Sequence, residues 1–191
     1  MALKRMKIDG YGQMEINNCA FRRDGRVEAQ CFPDASDFSN VPVENGMLLA
    51  VDNAKRTLKF ATDDSLPIAI VYSAEHLYDE RALGLKNFKL DGSNDFLPRL
   101  GYLSRGDKYT TNCISYDAAV DTAWASDADV KNAMKAACGP TATTTVYGGI
   151  ASDGSHLVSA TKPTVGPVLK AVKYYTMPDG SWGVRFQCME G

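Results

Sequence analysis

Cysteine, histidine and paired carboxylates are the side chains that could carry catalysis in this chain, and they are few. The histidines are His76 and His156; the cysteines are Cys19, Cys31, Cys113, Cys138 and Cys188. A serine or cysteine nucleophile needs a base within hydrogen-bond reach, most often histidine. Cys113 or Cys138 could meet His76 or His156 in space, and the product would be a small cysteine-dependent hydrolase. No local signature joins either pair, and the chain has no G-x-S-x-G elbow. His76 lies in the polar run Ser73-Ala74-Glu75-His76-Leu77-Tyr78-Asp79-Glu80, and His156 directly follows a turn, so both are expected at the surface.

Other candidate groups fare no better. Asp63-Asp64 and Asp79-Glu80 could hold a metal or act as an acid–base pair. Both pairs fall in expected loops, where solvated charge is the simpler reading. Five widely spaced cysteines without a C-x-x-C pair fit neither a disulfide framework nor a zinc site, so free thiols packed as small hydrophobes are expected. Neither a G-x-x-x-x-G-K-[ST] phosphate loop nor a G-x-G-x-x-G fingerprint is present. Tyr174-Tyr175 opposite Trp182 and Phe186 could stack single-stranded bases, but cross-strand packing accounts for the same residues. No catalytic, cofactor-binding or metal-binding residue is assigned, and the expectation is a protein that is not an enzyme.

Charge and hydropathy narrow the partners. The formal net charge of −2 argues against direct nucleic-acid binding, which needs a broad basic footprint. Basic residues are nevertheless concentrated at the start: Lys4, Arg5, Lys7, Arg22, Arg23 and Arg26 stand against Asp9, Glu15 and Asp24. A solvated terminus explains this, as does an arm that docks on an acidic partner. No apolar run is long enough to cross a bilayer, so no membrane partner is expected. Met-Ala-Leu-Lys-Arg-Met-Lys lacks the apolar core of a signal peptide, which points to the cytoplasm where the chain is made.

The elements that would position these residues are marked by turns. Asp-Gly recurs at 9–10, 24–25, 91–92, 153–154 and 179–180, and Asn45-Gly46 adds a sixth tight-turn signal. At the C-terminus, Val168 to Met177 and Ser181 to Met189 read as a hairpin joined at Pro178-Asp179-Gly180. Trp182, Val184, Phe186 and Cys188 alternate with Gly183, Arg185 and Gln187, the period of a half-buried strand. Residues 47–51, 57–61 and 67–72 read as a three-stranded meander, with further strands at 99–103 and 108–116. One helix is expected over 127–138: Ser126 caps it with Asp129 in the capping-box position, and Gly139-Pro140 stops it. A short helical turn is expected within 75–83, and strands and loops over 141–165. At 191 residues this is one domain plus an arm: residues 1–40 an extended N-terminal arm, residues 41–191 a single domain. The fold class is mainly β, α+β with one clear helix, in a compact antiparallel β domain.

Two stretches, Val43-Glu44-Asn45-Gly46-Met47-Leu48-Leu49-Ala50-Val51-Asp52 and Pro67-Ile68-Ala69-Ile70-Val71-Tyr72-Ser73, carry a resemblance. Here the chain resembles capsid-associated proteins of tailed bacteriophages, of the decoration or head-stabilising kind. Gly84-Leu85-Lys86-Asn87-Phe88, Pro98 to Asp107 and Val172 to Gly180 are similar to phage structural proteins as well. The similarity touches residues 41–116 and 166–189, and its motifs consist of turn and strand residues. It implies a virion protein on the capsid exterior that binds the major capsid protein and self-associates, as a trimer in many such proteins, without a cofactor. Under that resemblance residues 1–40 would be disordered alone and ordered on the capsid. A tail or fibre component is the alternative within the same structural class.

Overall fold

Where the chain carries apolar residues at every position it runs through the middle of a sheet, and where it alternates it lines a face. The computed structural model describes residues 3–6, 12–25, 28–29, 31–39, 41–73, 97–177 and 180–191. These form two sheets and, besides the four-residue helix α1 (Ala20–Arg23), the longer helix α2 (Asp127–Ala137). The mainly-β expectation is met.

The larger sheet has eight strands. In spatial order they are β1 (Lys4–Arg5), β10 (Ile114–Tyr116), β12 (His156–Ser159), β11 (Tyr147–Ile150), β13 (Val168–Thr176), β14 (Trp182–Glu190), β9 (Lys108–Thr111) and β2 (Met14–Asn18). Only Asn112 and Cys113 separate β9 from β10, yet the two strands sit near opposite edges of this sheet. Laid flat, five strand spacings would put them roughly 24 Å apart. Two residues cannot bridge that gap, so the sheet curls until its edges approach. Contacts across the interior agree: Tyr109 of β9 reaches His156 of β12, which is not its neighbour in the sheet.

The smaller sheet runs β3 (Glu28–Ala29), β8 (Arg99–Gly101), β7 (Ile68–Val71), β5 (Leu48–Asp52), β6 (Thr57–Phe60) and β4 (Phe32–Pro33). The expected meander is corrected here: β5 lies between β6 and β7, and β6 pairs on its other side with β4. Leu48, Leu49 and Val51 are apolar on both faces of β5, which suits a central strand and not an outer one. Leu48 and Ile70 pack against the interior of the curled sheet, whereas Leu49, Val51, Ala69 and Val71 face a second core with Cys31, Phe38 and Leu58. Most pairings are antiparallel; β10–β12 and β4–β6 are parallel.

The N-terminal segment is not an arm in its described parts. Within residues 1–40, β1 and β2 are the two edges of the large sheet, and β3 and β4 are the edges of the small one. Phe21 and Phe38 are each 1 % exposed, and Phe21 rests on Tyr72 and against the backbone of Gly101. The basic run suggested solvation because it hid the apolar residues between the charges.

Local expectations hold where local chemistry decides them. Ser126 caps α2 through a full capping box with Asp129, and Val130, Met134 and Ala137 are its buried stripe. In the C-terminal hairpin, the Gly180 N–H donates to the Met177 carbonyl at 2.9 Å and Gly180 takes φ +83°. Expected strands at 99–103 and 108–116 appear as β8, β9 and β10, the latter pair broken at Asn112-Cys113. The helical turn expected within 75–83 lies outside the described residues.

Candidate functional site

The densest cluster of chemistry-bearing side chains lies where the two edges of the curled sheet meet the turns at 44–46 and 153–155. Arg5 on β1 sits opposite Ser115 of β10. Its Nη2 donates to Glu44 Oε2 at 2.8 Å and to Cys113 Sγ at 3.2 Å, and its Nη1 donates to Asp153 Oδ2 at 3.3 Å. Glu44 Oε2 also accepts the Gly12 N–H at 2.7 Å. One guanidinium and its carboxylates thus tie together five separate stretches of chain. Gly46 makes this approach possible: at φ +89°, a Cβ there would run into Thr111 Oγ1 and Cys113 Cβ.

Beside Arg5 runs a chain of hydroxyls. Asp153 Oδ1 accepts the Ser155 N–H at 3.0 Å and the Ser155 hydroxyl as well. Since Ser155 gives its one proton to Asp153, the Ser115 hydroxyl in contact with Ser155 Oγ must be the donor of that bond. Both serines are completely buried.

His156 follows directly and is fully buried, which corrects the expectation of a surface histidine. The turn at 153–155 ends one residue earlier, and β12 carries the imidazole into the interior of the curled sheet. Nδ1 lies 3.1 Å from the Cys113 carbonyl, which can only accept, so Nδ1 carries the proton. Nε2 therefore accepts from the Tyr109 hydroxyl at 2.7 Å. The ring stacks on Phe186 at 5.0 Å. Burial pushes the imidazole down to about 4, opposed by its bond to Cys113, so the ring is neutral at pH 7.

Cys113 and His156 do come together, but not as a nucleophile and its base. The imidazole bonds the main-chain oxygen of Cys113, while the thiol faces Arg5. Burial pushes the Cys113 thiol up to about 12, although Arg5 pulls the other way. The Arg5 charge is disfavoured by burial, and its acidic neighbours outweigh that and hold it protonated. Chemically the cluster is a strut: a half-buried, ion-paired guanidinium, a buried neutral imidazole with both nitrogens occupied, and a buried thiol kept as SH.

The remaining candidates are dispersed. Cys138 caps α2 and is half-buried, with its thiol raised by burial. Cys19 and Cys188 are buried and pushed up to about 12 and about 11, mainly by burial with Asp107 adding to it. No disulfide joins any of the five cysteines. Asp63 accepts the Ser65 N–H and Asp64 the Gly166 N–H, so this pair organises loops. Hydrogen bonds from Ser65 hold Asp63 below the usual carboxylate range. His76, Asp79 and Glu80 lie outside the described residues. Among the described residues no group of three or more His, Cys, Asp or Glu is placed to hold a metal ion.

The aromatic platform is split between two faces. A bulge between Ala171 and Lys173 leaves Val172 without a partner, so strand alternation restarts after it. Tyr174 turns inward and stacks on Trp182 at 5.7 Å, with Lys135 and Lys131 of α2 over the two rings. Tyr175 turns outward beside Lys173 and Arg185. Phe186 belongs to the interior with Tyr109 and His156.

Reading by motif missed Arg5, Glu44, Tyr109, Ser115, Asp153 and Ser155. Asp153-Gly154-Ser155 registered as a turn only, Glu44-Asn45-Gly46 as a turn and part of the resemblance, and nothing local marks Arg5 as different from the basic residues around it. The spacing of 148 residues between Arg5 and Asp153 leaves no signal to find. Comparison of the chain with protein-family models, with curated proteins and with solved structures finds no match.

Proposed function

We propose that the protein is a structural virion component that binds and stabilises the outer capsid lattice of a tailed phage, the work of a decoration or cement protein. One observation carries the reading. The reactive side chains brought together by the described fold, Cys113, His156 and Arg5, are engaged with one another and with Glu44, Asp153 and Tyr109 in holding distant segments in place. Such an interior suits a protein whose task is to stay folded and present surfaces, where affinity comes from buried area and complementarity. The resemblance of residues 43–52 and 67–73 to capsid-associated proteins supports the same reading, because these residues build the central strands β5 and β7. The partner on this proposal is the major capsid protein, with self-association, such as a trimer, at lattice sites. Docking must use the folded surface, since the described N-terminal segments are committed to the two sheets.

The test mixes purified protein with expanded and unexpanded capsids and measures bound copies by sedimentation and gel densitometry. Saturation at a lattice-related copy number is expected. Absence of binding to both forms, or recovery with tails and not with heads, overturns the proposal.

A further inference from the structure

The convex face of the curled sheet carries a charge pattern that the whole-chain balance conceals. On this face Lys170 of β13, Gln187 of β14 and Lys108 of β9 form one row across three strands, and Lys173, Arg185 and Thr110 form the next. Lys170 and Lys173 would point to opposite faces of a regular strand; the bulge at Val172 brings both outward. Adjacent rows are roughly 7 Å apart and adjacent strands about 5 Å, so Arg185 lies within about a Debye length of each of the three lysines and the cations form one connected patch. Glu15, paired to Thr110, is the carboxylate placed in these rows, and Glu190 at the end of β14 is held by Lys162. Among the described residues, a chain of net charge −2 thus gathers four cations and one carboxylate in these two rows.

Arg185 is the anchor of this face. Its Nε–H is held by Asn17 Oδ1 at 3.1 Å and Thr110 Oγ1 at 3.2 Å, and Thr110 itself donates to Asn17 at 2.7 Å. Tyr175 lies against the guanidinium with 5.3 Å between its ring centre and Cζ. The two Nη groups make no hydrogen bond among the described residues, so both ends of the fork are left to a partner. A fork of that kind matches a carboxylate through two parallel bonds, and its orientation is fixed before the partner arrives.

The geometry points to this face as the docking surface for an acidic protein surface, which rests on reading the chain as a capsid-binding protein and names where it binds. Stacked single-stranded bases fit less well. The second outward tyrosine, Tyr147, pairs with Lys170, five residues from Tyr175 along β13. At about 3.3 Å per residue the two rings stand roughly 16 Å apart, too far for successive bases to stack on both. Tyr175 is moreover occupied by the cations beside it.

Full-length protein would be titrated into fluorescent poly-glutamate, and separately into an oligo-thymidine of equal length, with anisotropy as the readout. The face is tested by the double variant Lys170→Glu/Lys173→Glu and by Arg185→Lys, which keeps the charge and removes the fork. Lys4→Glu/Lys55→Glu changes the charge equally on exposed residues elsewhere. Poly-glutamate binding should weaken by roughly tenfold or more in the face variant, measurably in Arg185→Lys and little in the control. Binding of the same variants to capsids should follow the same order. Equal losses in face and control variants, no poly-glutamate binding, or tighter oligo-thymidine binding through the same residues would each overturn the inference. Poly-glutamate binding that depends on this face while capsids are not bound would refute the capsid reading and leave the acidic-surface site standing.

Discussion

Protonation of His156 should set how the protein's stability depends on acidity. In the folded chain the imidazole is wholly enclosed, and burial holds it down at about 4. In the unfolded chain it returns to about 6.5. Because the folded value is the lower one, the unfolded chain binds more protons between these limits, and stability falls as pH drops through the window. The contribution is fully present above about pH 6.5 and is lost by about pH 4. A tenfold difference in proton affinity is worth about 1.4 kcal/mol, so the whole window amounts to roughly 3 kcal/mol. His156→Gln isolates this term, because the amide still offers an acceptor to Tyr109 and a donor to the Cys113 carbonyl but does not titrate. Urea unfolding of both proteins from about pH 7.5 to about pH 4.5 should show the native protein losing roughly 2 to 3 kcal/mol more than the variant. Carboxylates elsewhere titrate in both and cancel in the difference. Parallel pH dependences would refute the enclosed, neutral imidazole and the closed sheet interior that produces it.

Other consequences follow from the same contacts. Ser126→Ala removes the reciprocal cap of α2 and should cost about 1 kcal/mol in urea unfolding, with no change at the Arg5 cluster. Phe21→Ala should destabilise by roughly 3 to 5 kcal/mol, and removal of residues 1–26 should abolish cooperative unfolding followed by circular dichroism, since both edges of the large sheet would be lost. Unchanged stability in either case would restore the detachable arm. In native protein at neutral pH, alkylation followed by peptide mass mapping should find Cys138 modified first, with Cys19, Cys113 and Cys188 reacting only as the chain unfolds. Fast labelling of Cys113 would revive the cysteine nucleophile.

Several features were readable in the residues because their causes are local. Ser126 and Asp129 are three apart and satisfy each other within one turn of helix, so the start of α2 needed no tertiary information. Gly180 and the alternation from Trp182 to Cys188 likewise specify the C-terminal hairpin, and the buried face of β14 is the one the alternation marks. The run Leu48-Leu49-Ala50-Val51, apolar on both faces, suits a central strand, but it does not say which strands flank it. That depended on which strands had apolar faces left to cover it.

Everything that joins distant segments was decided by the tertiary structure. Curling of the large sheet places Tyr109 against His156 across its interior, and so turns a histidine that follows a turn into a buried neutral one. Arg5 belongs to a basic run by composition, yet edge pairing of β1 with β10 delivers it to Glu44, Asp153 and Cys113. A single unpaired residue, Val172, reverses the alternation of β13, sending Tyr174 inward and gathering Lys170, Lys173 and Tyr175 on the outer face. The residues by themselves determined that this is a mainly-β protein with one capped helix, because caps, turns and strand periods act over a few positions. Which side chains are enclosed, which cations share a face and where the described segments of the first forty residues go were decided only by long-range pairing, since register between strands is set by the packing of the whole.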